Sequence, residues 1–174
     1  VPDIAGHQIA LNISSMAYTL SLGLSVAVTA RVGYHIGRKD TVQARDTGFI
    51  GIFFGLIISC VTALVMVLFD HELAGIFSSD PQVTGVAIQL IFMAAIFQLS
   101  DGIQVNASGA LRGMKDTKVP MYICAFAYWL IGFPVGYILA EHYNMGVSGY
   151  WMAIISGLTI SAILMARRFY SLTR

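Results

Sequence analysis

The stretch Ile91–Lys118, IFMAAIFQLSDGIQVNASGALRGMKDTK, decides how the rest of the chain is read, because it sets one carboxylate inside an apolar run. From Pro81 to Leu111 the only charged residue is Asp101, and a run of that length can cross roughly 30 Å of hydrocarbon as a helix. An ionisable side chain at such depth costs roughly 2.5–3.5 kcal/mol on insertion scales, so it is expected to face a cavity or a partner rather than lipid. At about 3.6 residues per turn, Ala94, Phe97, Gln98, Gln104 and Ser108 fall on the side of Asp101, while Asn106 points elsewhere. The helix thus carries a polar stripe centred on a carboxylate. The alternative is a buried Asp held by neighbouring hydroxyls or amides for packing alone. Gln98, Gln104 and Ser108 fit either account, since amides and hydroxyls also hold membrane helices together.

Outward from this stretch the composition agrees. Of the 174 residues, 57% are hydrophobic and 11% charged, whereas soluble domains average about 25% charged. Five apolar segments, at about 8–30, 47–69, 83–111, 119–139 and 146–166, are separated by charged or turn-forming clusters, which predicts an all-α polytopic membrane helix bundle. All ten Lys and Arg lie in alternate connections: Arg31, Arg38, Lys39 and Arg45, then Arg112, Lys115 and Lys118, then Arg167, Arg168 and Arg174. The other connections hold only acids and histidines, including Asp70, His71, Glu72, Asp80, Glu141 and His142. The positive-inside rule puts the basic connections and the C-terminus in the cytoplasm and the N-terminal end outside. The chain opens Val-Pro-Asp with no basic n-region, and an outside start without a signal peptide suggests a piece of a longer protein. Cys60 and Cys124 both fall in apolar spans, where small core residues are expected rather than a disulfide or a metal site.

Span one carries Gln8, Asn12, Ser15 and Thr19 along one side, with a second row of Ser21, Ser25 and Thr29. Such rows either line an aqueous cavity or hydrogen-bond between helices. Tyr18, one turn from Ser15, offers an aromatic face to a cation or fills the core. His7 is expected to cap or hydrate the outer rim. The connection Arg31–Asp46 has the length of an amphipathic segment lying on the membrane, and nothing in it suggests a phosphate loop or nucleic-acid binding. Gly48, Gly51 and Gly55 mark span two for close helix packing. Asp80-Pro81 is a helix start, with Asp as cap and Pro in the first turn. Asp116 is expected to anchor its turn with Lys115 and Lys118. In span four, IGFPVGY places Pro134 mid-span, as a hinge or a static kink.

These stretches together resemble one family. AGHQIALNISS, TARVGYHIGRKD, FQLSDGIQVNASGALRGMKDTK, YWLIGFPVGYIL and GVSGYWMAIISGL are similar, in order, to the C-terminal half of the multidrug and toxic compound extrusion (MATE) transporters of NorM type. The resemblance covers essentially the whole chain and is most specific around Asp101. It implies twelve helices in two six-helix lobes around a central cavity, with these spans as the last five; the first helix of this lobe and the entire N-terminal lobe lie outside the sequence. The family's membrane carboxylate maps onto Asp101. The aromatic one turn earlier, frequently Tyr in relatives, is Phe97 here, so its hydroxyl is lost. Tyr18 matches a position where relatives place an aromatic near the cation.

From this the expected function is secondary active efflux by the intact parent. Organic cations would leave the bacterial cell across its inner membrane in exchange for Na⁺ or H⁺, with no cofactor. Asp101, with Tyr18, would take the coupling ion, Na⁺ included, while Phe97, Gln98, Gln104, Ser108, Gln8, Asn12 and Ser15 face the cavity. A desolvated carboxylate is relieved by either a proton or a cation, so one position can hold either. Binding from outside would weaken its hold on a cationic drug and favour release. The rival readings are a flippase for a lipid-linked precursor, which calls for bases inside the cavity, and a non-transporting assembly subunit with Asp101 paired to a partner helix. An enzyme finds no paired His or Glu cluster or activated nucleophile in the spans. The isolated 174 residues are expected not to transport.

Overall fold

A computed structural model describes residues 2–173; Arg174, assigned above to the basic end, lies outside the described residues. Five helices are long and apolar enough to cross a membrane: α1 (Pro2–Gly37), α2 (Thr41–Leu68), α4 (Pro81–Gly113), α5 (Lys118–His142) and α6 (Gly146–Leu172). A short helix, α3 (Asp70–Phe77), joins α2 to α4. Four of the five expected segments fall within these helices, and the second, 47–69, ends one residue past α2, at its cap Phe69. With 36 residues, α1 is about 54 Å long at 1.5 Å per residue and exceeds the hydrocarbon thickness.

That length corrects one expectation. No interfacial segment separates the first two spans: α1 runs on through Gly37, and only Arg38–Asp40 connect it to α2. Lys39 takes the turn with φ of 60°, and the Asp40 carboxylate accepts from Gln43 N at 3.0 Å to cap α2. The start of α4 matches its expectation, since Asp80 accepts from Gln82 N at 2.9 Å ahead of Pro81. In α3, Asp70 and Glu72 occupy the first turn, where a helix N-terminus favours negative charge.

The interior has two apolar ends. Near the start of α4, Leu90, Ile91 and Ala94 pack with Ile9, Ile13, Met66 and Trp151. Near its end, Ala107, Ala110 and Leu111 pack with Val28, Val32, Met165 and Phe169. Between these clusters α4 contributes the buried polar side chains Gln98, Asp101 and Asn106.

α4 is central, packed by α1, α2 and α6. α1 and α4 run parallel with a constant offset: Gly6 lies against Val86, Ser25 against Val105, Thr29 against Gly109 and Gly33 against Gly113. Their close approach depends on the glycines of α4. A methyl on Gly102 would stand 2.7 Å from the Gly55 carbonyl oxygen, and one on Gly109 would stand 2.7 Å from that of Ser25. Neither backbone can yield as a side chain would, so only hydrogen fits.

α5 is built differently. It begins as α-helix, widens to π turns over Phe126–Gly132, returns to α over Phe133–Tyr137 and widens again over Ile138–His142. Pro134 stands in the short α segment, exposed, without an N–H to donate. Only 17% of the apolar stretch of α5 is buried inside the bundle, against 44% for α6. Where the chain turns from α4 into α5, Asp116 pairs with Arg168 of α6 (Nε donating to Oδ2, 2.9 Å) rather than with Lys115 or Lys118 as expected. The helix directions bring all nine described Lys and Arg to this end of the bundle.

Candidate functional site

Asp101 is 4% exposed, and its Oδ2 has no hydrogen-bond partner among the described residues. Among them the one ion pair is Arg168–Asp116, so no base neutralises Asp101 within the bundle. Among the described residues no hydroxyl or amide holds Oδ2 in the way the packing alternative calls for. Its flanks on α4 differ. Gln98 is fully buried, with both amide atoms unpartnered. Gln104, one turn beyond Asp101, is half-buried, and its Nε2 lies 3.3 Å from both Tyr128 Oη and Ser161 Oγ and 3.6 Å from Cys124 Sγ. An amide NH₂ has two protons, which suffice for the two oxygens. Gln104 thus ties α4 to the π-helical part of α5 and to α6. Ser100, bonded to Thr159 Oγ1 at 2.8 Å, makes a second tie to α6.

Tyr128 was not singled out for the site by the sequence. Its Oη accepts from Gln104, one turn from Asp101, so α5 contributes a phenol to the polar layer of α4 where Phe97 offers none. Phe97 is half-buried and packs edge-on against Trp151, ring centroids 6.1 Å apart. Tyr18 is 37% exposed. Ser108 lines a pocket of about 230 Å³ with Arg112, Thr117 and Cys124. Arg112 is exposed, and its Nη2 donates to Ser25 Oγ at 3.0 Å.

The two polar rows of α1 separate. Ser25 Oγ donates to Val105 O at 2.8 Å and Thr29 Oγ1 to Gly109 O at 2.9 Å, so these two bond between helices. Ser21 is buried without a partner among the described residues. Gln8, Asn12, Ser15 and Thr19 are all exposed, and their side-chain bonds stay within α1. That row occupies an open face beside Tyr18. His7 also departs from expectation: it neither caps nor sits free, but accepts at Nδ1 from Trp151 Nε1 at 3.1 Å. Asn106 points toward α2, against Gly55, and donates to its own helix at Gly102 O, 2.8 Å.

A bundle of membrane-length helices around a buried carboxylate is the architecture of a polytopic membrane protein. Residues 2–138 match the MatE family model, and the chain belongs to that family. It is 46% identical over 169 residues to the multidrug resistance protein MdtK of Yersinia enterocolitica, covering 95% of this chain and 37% of that protein. It is 39% identical over 175 aligned positions to the probable multidrug resistance protein NorM of Mannheimia succiniciproducens, covering 98% and 38%. The fold matches the crystal structure of the eukaryotic MATE transporter AtDTX14 with a TM-score of 0.89 at 20% identity, over 99% of this chain and 41% of that one. The chain thus spans under two fifths of the length of the curated relatives it matches. Membership in a transporter family also removes the enzyme reading.

Proposed function

We propose that the whole protein exports organic cations in exchange for Na⁺ or H⁺, and that Asp101 is a coupling carboxylate. The observation that carries this reading is the buried, unneutralised Asp101 in the polar layer of α4. An intramembrane carboxylate without a counter-charge is relieved by binding a proton or a cation. A single carboxylate with phenols nearby suits a monovalent ion: among the described residues no three His, Cys, Asp or Glu side chains come together to hold a more demanding metal. Tyr128 and Tyr18 would offer ring faces or hydroxyl oxygens to the cation. The exposed row Gln8, Asn12, Ser15 on α1 would face the cavity and the N-terminal lobe, because amides in lipid would be costly. Ser108 and the Gln98 and Gln104 amides would extend the polar path along α4, and α5, with its π turns around Pro134, would be the helix that bends. The basic end of the bundle would be cytoplasmic by the positive-inside rule, in a bacterial inner membrane.

A flippase for a lipid-linked anion would need several bases inside the cavity. Among the described residues Arg112 is exposed and engaged by Ser25, and the half-buried Arg168 is paired with Asp116. An assembly subunit would need Asp101 to meet a basic partner helix.

The test is exchange of a fluorescent organic cation by the full-length protein in proteoliposomes, with Na⁺ and pH gradients imposed separately. For Asp101→Asn we expect gradient-driven transport to fall at least about tenfold, the equivalent of about 1.4 kcal/mol, with expression and monodispersity retained. Unchanged transport would remove Asp101 from the mechanism, and impaired assembly would favour the subunit reading.

A further inference from the structure

Trp151 is 2% exposed, and its indole Nε1 has one acceptor, His7 Nδ1 at 3.1 Å. An indole nitrogen can only donate, so the accepting imidazole nitrogen must carry a lone pair, and His7 is held as the neutral tautomer with its proton on Nε2. A second proton would go onto Nδ1. Two N–H groups would then face each other, and the bond could not persist. Protonation of His7 and its bond to Trp151 are therefore mutually exclusive.

What moves with that bond reaches the polar layer. The Trp151 ring meets the His7 ring edge-on at 5.8 Å and the Phe97 ring edge-on at 6.1 Å. Phe97 precedes Asp101 by one helical turn on the same side of α4. A contact path thus crosses from α1 through α6 to α4 and ends at Phe97, one turn before the carboxylate. Its start is accessible, since His7 and Trp151 line a pocket of about 330 Å³ together with Asp3 and Tyr150. The ionisable neighbours are few. Asp3 lies one turn earlier on α1. From α6 comes Tyr150, whose hydroxyl donates to Glu141 Oε1 of α5 at 3.4 Å, with His142 beside it. α4 contributes none between Pro81 and Asp101.

We propose that His7, through Trp151, positions Phe97 one turn before Asp101, and does so only while neutral, which makes it a second proton-responsive position linked to the coupling carboxylate. The inference rests on the role given to Asp101 above. His7 is given a positioning role, since it acts through Trp151 and Phe97 rather than by contact with the carboxylate.

The test uses the full-length protein with Trp151 as its sole tryptophan, and reads its emission as the pH is lowered from about 8 to 5, the range in which histidine is the ordinary titrating side chain. The His7 protein is expected to show one sigmoidal spectral shift. His7→Asn is expected to match it at the alkaline end and stay flat, because Asn Oδ1 stands where Nδ1 stood and accepts without titrating. A flat response with His7 present, or the same shift with Asn, overturns the proposal. In exchange assays His7→Leu, which cannot accept, should fall several-fold and His7→Asn should recover; equal loss in both overturns the positioning role. The emission arm needs no transport, so failure of the coupling reading would show separately, as transport indifferent to Asp101→Asn.

Discussion

The two sides of α4 are held by different physics. Toward α1 and α2 it presents Gly102, Gly109 and Gly113, against which Ser59, Gly55, Ser25 and Thr29 close so far that no methyl group fits. Toward α5 and α6 it presents, beside the apolar contacts to Trp151, Met165 and Phe169, the side chains Ser100 and Gln104, which hydrogen-bond to helices of which one is widened by π turns and little buried. The first side resembles a close-packed solid, in which a displacement costs many contacts at once. The second can exchange one hydrogen bond for another. Asp101 stands at the boundary, so under the proposed coupling role an ion bound there would have a fixed wall on one side and an adjustable wall on the other.

The largest effect should come from breaching the fixed wall. Gly102→Val would drive a branched side chain into the Gly55 carbonyl and the Ser59 hydroxyl. Overpacking of this kind costs about 1–3 kcal/mol or more where backbone cannot yield, and we expect little folded protein by size-exclusion chromatography in detergent. A variant that eluted and melted like the native protein would end the distinction between the walls. Next is the boundary itself: Asp101→Leu removes an unneutralised buried carboxylate and should raise thermal stability, by up to roughly 2.5–3.5 kcal/mol on insertion scales, while abolishing exchange. A lower melting temperature would mean that the carboxylate is satisfied in the folded protein. The smallest effect belongs to the adjustable wall. Gln104→Leu should cost about 0.6 kcal/mol and no more than about 1.7, the span measured for hydrogen bonds between membrane helices. A cost equal to that of Gly102→Val would show both walls to be equally rigid.

Much of this architecture is legible in the residues. Apolar runs broken by charge gave the five spans, alternation of Lys and Arg put the bases at one end, and the lone Asp101 marked the layer between the apolar clusters. Asp80-Pro81 announced the start of α4 because a cap acts within its own turn. Features that depend on distant pairs were not legible. His7 and Trp151 lie 144 positions apart, and nothing local to either indicates the other. Asp116 had lysines as sequence neighbours, yet the bend of the chain brought Arg168 nearer. The polar rows of α1 showed their spacing but not their direction, since helical periodicity gives relative angle and not which neighbour lies there. The eight residues of α3 are too few for periodicity to reveal a helix.

The parallel seating of α1 on α4 bears on how such a lobe can change length in evolution. Contacts from Gly6–Val86 to Gly33–Gly113 keep one spacing throughout. Deleting one residue from the middle of α1 would turn all that follows by about 100°, aiming Ser25 and Thr29 away from their carbonyls. A matching deletion at the same height in α4 would bring the two faces back together. Insertions and deletions in these helices should therefore survive only as pairs, and a single one should be tolerated only beyond the last shared contact, near Gly37.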